Sequence, residues 1–113
     1  MKIYHNPRCS KSRQALEMLQ NATSNIEIIE YLKYPLKFRE IKILLSQLNI
    51  EPEQLIRKNE KDWKENYKGK AMREDDIINA IIMCPNLMQR PIVTNGKKAI
   101  IGRPAENILE IFS

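Results

Sequence analysis

One cysteine, Cys9, stands in a run of polar and cationic residues, Tyr4-His5-Asn6-Pro7-Arg8-Cys9-Ser10-Lys11-Ser12-Arg13. A cysteine acts as a nucleophile or redox group through its thiolate, so the question is whether this stretch favours the ionised form. Residues 1–4 are apolar or β-prone and read as a short strand. Leu16, Leu19 and Ala22, with Ala15 beside them, recur at helical spacing. Cys9 therefore falls in a strand-to-helix turn, where unpaired N–H groups and the positive end of the helix dipole stabilise negative charge. Arg8, Lys11 and Arg13 add cationic charge. A structural cysteine is usually a small buried hydrophobe; Cys9 has no apolar neighbour in sequence on either side, which weighs for a functional thiolate. His5 has two readings, a hydrogen-bonding group that orients the site or a residue that merely ends the strand.

The spacing excludes other chemistries. Arg13 follows Cys9 by four residues, giving C-x-x-x-R, and Ser12 stands where a C-x-x-C dithiol would carry its second cysteine. The other cysteine, Cys84, closes the apolar run Ile77-Ile78-Asn79-Ala80-Ile81-Ile82-Met83-Cys84 and is expected to fill core. With one histidine and no ligand pair at zinc spacing, no metal is expected.

At 113 residues and 42% hydrophobic, the chain suits a single domain, 1–113, with a modest core and no disulfide staples. No long apolar run suggests a signal peptide or membrane span, so a cytoplasmic protein with reduced thiols is expected. The net charge of +5 comes without a stacking motif for bases, so the expected partner is a small anion rather than nucleic acid. A monomer is expected.

The elements that must hold Cys9 in place follow in order. A strand at about 2–4 leads through the Cys9 turn into a helix at about 10–21. The short β-branched segment 26–32 reads as a second strand, so the pair forms a parallel βαβ unit. Ligands of such sheets bind beyond the carboxyl ends of the strands, where Cys9 lies. Phe38, Ile41, Leu44, Leu45 and Leu48 predict an amphipathic helix over 38–48. Pro52 opens a short helical turn reaching Leu55 and Ile56. Residues 60–71 form a weak helix carrying Trp63 and Tyr67 at i,i+4 spacing. Glu74-Asp75-Asp76 begins a helix over about 74–84 that Pro85 closes. Segments 92–94 and 98–101 flank Asn95-Gly96, which predicts a hairpin with a two-residue type I′ turn. Pro104 is expected to open a last helix whose apolar face is Ile108, Leu109, Ile111 and Phe112. The sum is an α/β domain of thioredoxin/glutaredoxin-like layout, a mixed four-stranded sheet with a helical insertion, about 38–89, before the third strand.

Two arginines each precede a proline at a strand end, Arg90-Pro91 and Arg103-Pro104. A residue before proline is held extended, which gives its side chain a defined direction. For any single arginine in a basic chain, the solvated turn residue is the more usual reading.

Taken together, these segments resemble the glutaredoxin-linked arsenate reductases from end to end. The active-site turn of that family, His-Asn-Pro-x-Cys-x-x-Ser-Arg, is matched by residues 5–13. Its later motifs are matched by Arg57-Lys58-Asn59, by Arg90 to Val93 and by Gly102 to Glu106. The resemblance implies a catalytic Cys9, a His5 that helps to lower its pKa, and Arg57, Arg90 and Arg103 as ligands of the arsenic oxyanion. Asn6, Ser12 and Arg13 would support them, and Pro91 would follow a cis peptide bond. It implies no tightly bound cofactor, glutathione as co-substrate and glutaredoxin as protein partner. Two other functions fit the same fold, a glutathione-dependent thiol reductase and a regulator of the Spx type that binds RNA polymerase. The latter class typically carries C-x-x-C, against which Ser12 counts.

Overall fold

A computed structural model describes residues 1–113. Four strands, β1 (Lys2–Tyr4), β2 (Glu27–Ile29), β3 (Ile92–Thr94) and β4 (Ala99–Ile101), form one sheet in the order β2-β1-β3-β4. β1 pairs with β2 in parallel and with β3 antiparallel, and β3 pairs antiparallel with β4. Four α-helices accompany them: α1 (Ser10–Ala22), α2 (Phe38–Leu48), α3 (Lys61–Asn66) and α4 (Glu74–Met83). The chain ends in a 3₁₀ helix, Ala105–Phe112. No helix is long and apolar enough to cross a membrane.

Alternation along the central strands divides the core in two. Ile3 and Val93 face a small core with Ala15, Leu19, Ile108 and Ile111, so α1 and the terminal 3₁₀ helix cover this side of the sheet. Tyr4 and Ile92 face the larger core, built with α2, α4 and the insertion. The starts of α2 and α4 are secured locally. Glu40 reaches back to the N–H of Lys37 (3.0 Å) and Asp76 to that of Arg73 (3.0 Å), each satisfying a backbone donor left over at the N-terminus.

Several expectations are corrected. The second strand spans three residues rather than seven. After Ile29 the chain turns, the N–H groups of Lys33 and Tyr34 both donating to the carbonyl of Glu30 (3.0 Å each), so Tyr31 lies beyond the strand end and is buried. The weak segment is helical only over Lys61–Asn66, although Trp63 and Tyr67 do stack, their ring centroids 5.6 Å apart. The hairpin turn lies one residue later than the Asn-Gly pattern predicts. Asn95 and Lys98 still bond across (3.1 Å), and Gly96 and Lys97 form the apex, with Gly96 at φ 94°. Glycine in the first central position is the type II′ signature. Asn95 instead closes the turn from its first corner, its Oδ1 accepting the N–H groups of Lys97 and Lys98 (2.9 Å each).

The final helix forms as a 3₁₀ helix, and Pro104 lies just outside it, at the N-cap, rather than at its first position. Its three-residue repeat stacks Ala105, Ile108 and Ile111 on one buried line and leaves Leu109 and Phe112 exposed. Cys84 does not simply fill core. It is half-buried at the C-terminal end of α4, packed against the larger core, and its thiol donates to Asp62 Oδ2 at 3.2 Å.

Candidate active site

The register of the sheet brings four strand ends to one place. Tyr4 pairs with Ile29 on one side and with Ile92 on the other, and Ile92 pairs with Ile101. The residues just beyond these pairs are the Cys9 turn after β1, Tyr31 after β2, Arg90-Pro91 before β3 and Gly102-Arg103 after β4. Distant segments thus meet at the carboxyl end of the parallel pair. The peptide bonds Arg90–Pro91 and Arg103–Pro104 are both cis. The Gly102 N–H donates to the carbonyl of Pro91 (2.8 Å), and a Cβ on Gly102 would lie 2.9 Å from Pro91 Cγ and 2.8 Å from Ile108 Cγ2. Only glycine lets the Arg103 loop come so close to the Arg90 loop.

Cys9 is the N-cap residue of α1, extended at φ −95° and ψ 121°, and the first turn of α1 contains no acidic side chain. The positive end of the helix is therefore left to the sulfur. Its N–H donates to the carbonyl of Asn6 (3.0 Å), and its carbonyl accepts the N–H of Arg13 (3.0 Å). Burial pushes the thiol up, but the backbone N–H groups of Ser12 and Lys11 and the guanidinium of Arg90 outweigh it, so the Cys9 pKa falls below the ordinary value. Arg103 adds a direct contact, Nη2 to Sγ at 3.5 Å, while its Nε donates to the carbonyl of Arg90 (2.8 Å). That second bond aligns one arginine on the backbone of the other.

His5, Asn6, Ser12 and Arg13 build the floor of the turn. Ser12 is wholly buried; its Oγ lies 2.7 Å from His5 Nδ1 and accepts the N–H of Asn6 (3.0 Å). A buried hydroxyl hydrogen needs an acceptor, and Nδ1 is the one in place, so Ser12 donates to a neutral imidazole. The pKa of His5 agrees: burial lowers it, Glu30 pulls it back in part, and Arg13 lowers it further. His5 is thus bonded to Ser12, whose backbone N–H reaches the Cys9 sulfur, and is not among the charges that shift Cys9. Asn6 Oδ1 accepts the N–H of Arg8 (3.0 Å), and Arg13 Nη1 donates to the carbonyl of Pro7 (2.9 Å), closing the turn.

Arg57 is placed differently. Its N–H donates to the carbonyl of Leu87 (2.7 Å) and Ile56 bridges Met88, which sets it on the segment leading to Arg90. Its guanidinium, however, is engaged by Glu60 Oε2 (2.9 Å) and the carbonyl of Asn86 (3.0 Å). Arg90 and Arg103 are the two arginines that act on Cys9. No group of three or more His, Cys, Asp or Glu side chains is clustered to hold a metal ion.

Sequence reasoning overlooked Tyr31. The signal was present: a parallel βαβ unit places the end of its second strand beside the turn after its first, and Tyr31 is two residues past that end. Its hydroxyl is buried, and the charges acting on it are those of Arg90, Cys9 and Arg103.

A half-buried cysteine with a lowered pKa, beneath two guanidinium groups and at a helix start, is a candidate small-anion site. The sequence pattern of the ArsC family matches residues 4–111. The chain belongs to the ArsC family. The uncharacterized protein YfgD of Escherichia coli K12 is 42% identical over 113 residues, covering 98% of this chain and 95% of its own. A Neisseria meningitidis protein named arsenate reductase is 37% identical over 110 residues, covering 96% and 94%. Among solved structures, that of an arsenate reductase from Vibrio cholerae is 40% identical and superposes with a TM-score of 0.91 over 98% of both chains. The four-stranded mixed sheet with its helical insertion is therefore an ArsC-type fold, and the strand-end cluster around Cys9 is its candidate active site.

Proposed function

We propose that this ArsC-family protein is an arsenate reductase. The observation that carries the reading is the placement of Arg90 and Arg103 on the thiolate of Cys9; the names of its relatives support it. Arsenate is a small tetrahedral oxyanion. Guanidinium groups and helix N–H groups hold such an anion by charge-assisted hydrogen bonds, and the lowering of the Cys9 pKa favours the nucleophilic form of the sulfur next to it. The Cys9 sulfur attacks arsenic, an S–As bond forms, and one arsenate oxygen leaves as water. Glutathione then attacks. Arsenic gains two electrons and leaves as arsenite, while the sulfurs of Cys9 and glutathione are joined as a mixed disulfide. Glutaredoxin reduces that disulfide and returns the thiolate.

Ser12 in place of a second local cysteine fits this route, which takes its resolving thiol from outside. Cys84 is poorly suited to resolve anything. Burial and Asp62 push its pKa up to about 11, so it is held as a neutral thiol.

The test is steady-state reduction of arsenate with glutathione and glutaredoxin. Turnover that needs both, and that is lost in Cys9→Ser, is the expected result. Reduction of glutathione mixed disulfides without arsenate turnover would assign the same cysteine to a thiol reductase.

A further inference from the structure

The buried side-chain nitrogen and oxygen atoms without a hydrogen-bond partner are three: Tyr31 Oη, Arg90 Nε and Arg90 Nη1. They belong to two residues, and each is near enough to Cys9 for the charge of one to act on the other. Elsewhere buried polar side chains are satisfied, as Ser12 and Thr94 show. Leaving a buried polar group unpaired is costly, so three together call for a common explanation. Their chemistry supplies one. Both guanidinium atoms can only donate, and a phenol, which can also accept, offers one O–H donor. A cluster of donors lacking an acceptor fits a ligand made of acceptors, which an oxyanion is and a cation or hydrocarbon is not.

We propose that Tyr31 is a substrate-binding residue, whose hydroxyl donates a hydrogen bond to an oxygen of the anion held between Cys9 and the Nε–Nη1 edge of Arg90. The inference rests on the anion-binding part of the function proposed above and adds a contact to it. Tyr31 is 1% exposed, so its ring is clamped by the larger core and its hydroxyl is preorganised. Burial pushes its pKa up to about 12, opposed by Arg90, so the O–H stays protonated and remains a donor at neutral pH. An uncharged donor does for the oxyanion what a further cation could not. It binds an oxygen without adding to the repulsion between Arg90 and Arg103.

The substitution Tyr31→Phe keeps the ring and removes only the hydroxyl. A structural hydroxyl and a ligand-binding one then give opposite signs. Loss of an unpartnered buried group should leave the melting temperature of the free protein unchanged or raise it. Anion binding should weaken by about 10- to 100-fold, the range of one hydrogen bond to a charged group. Binding is read as protection of Cys9 from iodoacetamide by arsenate and, separately, by sulfate, in the wild type and in Tyr31→Phe. The wild type also offers a direct readout. With four tyrosines in the chain, labelling at tyrosine ¹³Cζ yields a simple spectrum, in which the Tyr31 resonance should move on adding sulfate.

Equal protection in both proteins, or a Tyr31 resonance that does not move, would overturn the proposal, as would failure of either anion to protect wild-type Cys9. A wild type that is protected by both anions and yet does not reduce arsenate sinks the reductase reading alone, and the Tyr31 comparison still decides this one.

Discussion

The two cysteines of this chain occupy opposite ends of helices, and that difference separates a thiol whose pKa is lowered from one whose pKa is raised. Cys9 caps the N-terminus of α1, where backbone N–H groups and Arg90 draw its pKa down. Cys84 caps the C-terminus of α4, where the helix presents carbonyls, and it donates to Asp62. Burial opposes ionisation at both. The sign of the local field therefore decides, since both thiols are half-buried.

The largest effect expected from this contrast is Cys9→Ser, which should abolish arsenate reduction, while Cys84→Ser keeps it. Steady-state turnover of the two variants, with circular dichroism to check the fold, measures it. Equal loss in both would mean that an internal disulfide carries the electrons.

Next come the groups that give Cys9 its field. Arg90→Ala, which removes buried guanidinium atoms, should lower kcat/KM for arsenate by about 2–5 kcal/mol, the cost of truncating one partner of a buried charge pair, and Arg103→Ala should cost less because that side chain is exposed. Lysine should restore only part, because an ammonium lacks the two-pronged geometry of the guanidinium. Arg57→Ala should cost less than either, because Glu60 and the carbonyl of Asn86 already engage that guanidinium. An Arg57 effect as large as that of Arg90 would show that the anion draws Arg57 away from Glu60.

Ser12→Ala tests whether the helix start is held from beneath. It strips the partner from His5 Nδ1 and from the N–H of Asn6, both buried, and should destabilise the protein by about 1–3 kcal/mol in denaturant titration. The pKa of Cys9, followed by its alkylation rate against pH, should rise in the same variant.

A smaller effect belongs to pH. Cys84 has a folded-state pKa above its ordinary value of 9.0, at about 11. On unfolding, the thiol loses its proton more readily, so its contribution to stability is complete below about pH 9 and lost as pH rises towards 11. Cys84→Ser should flatten the alkaline fall in melting temperature across that window. Smallest of all should be Arg39→Ala and Lys42→Ala. These lie exposed on α2, where single surface charges contribute about 0–1 kcal/mol; a large loss of arsenate turnover in either would mean that net charge, not the placement of Arg90 and Arg103, governs the site.

How much of this was legible in advance depends on the range of the interactions involved. The α2 helix was readable to the residue, 38–48, because an apolar repeat of three and four needs no knowledge of its partner. The strand-to-helix turn at Cys9 was legible for a similar reason. The hairpin was expected but its apex was misplaced by one residue, since Asn95 is claimed by hydrogen bonds that compete with the type I′ geometry. The terminal helix was expected, but with Leu109 and Phe112 on its apolar face. Its packing under the sheet instead selects the three-residue repeat that buries Ile108 and Ile111 together.

By itself, then, the sequence determined the local pieces: which segments extend or coil, and which cysteine is set at a helix start among cations. These follow from periodicity, capping and turn chemistry, which act within a few residues. The tertiary structure alone decided which groups meet. Strand register brings Tyr31, Arg90 and Arg103 to Cys9. A glycine without room for a side chain lets the two arginine loops touch. An ion pair between Arg57 and Glu60 occupies an arginine that the motif alone would count as free. Those outcomes rest on contacts between residues far apart in the chain, and their electrostatic sign depends on burial and orientation that no spacing of residues specifies.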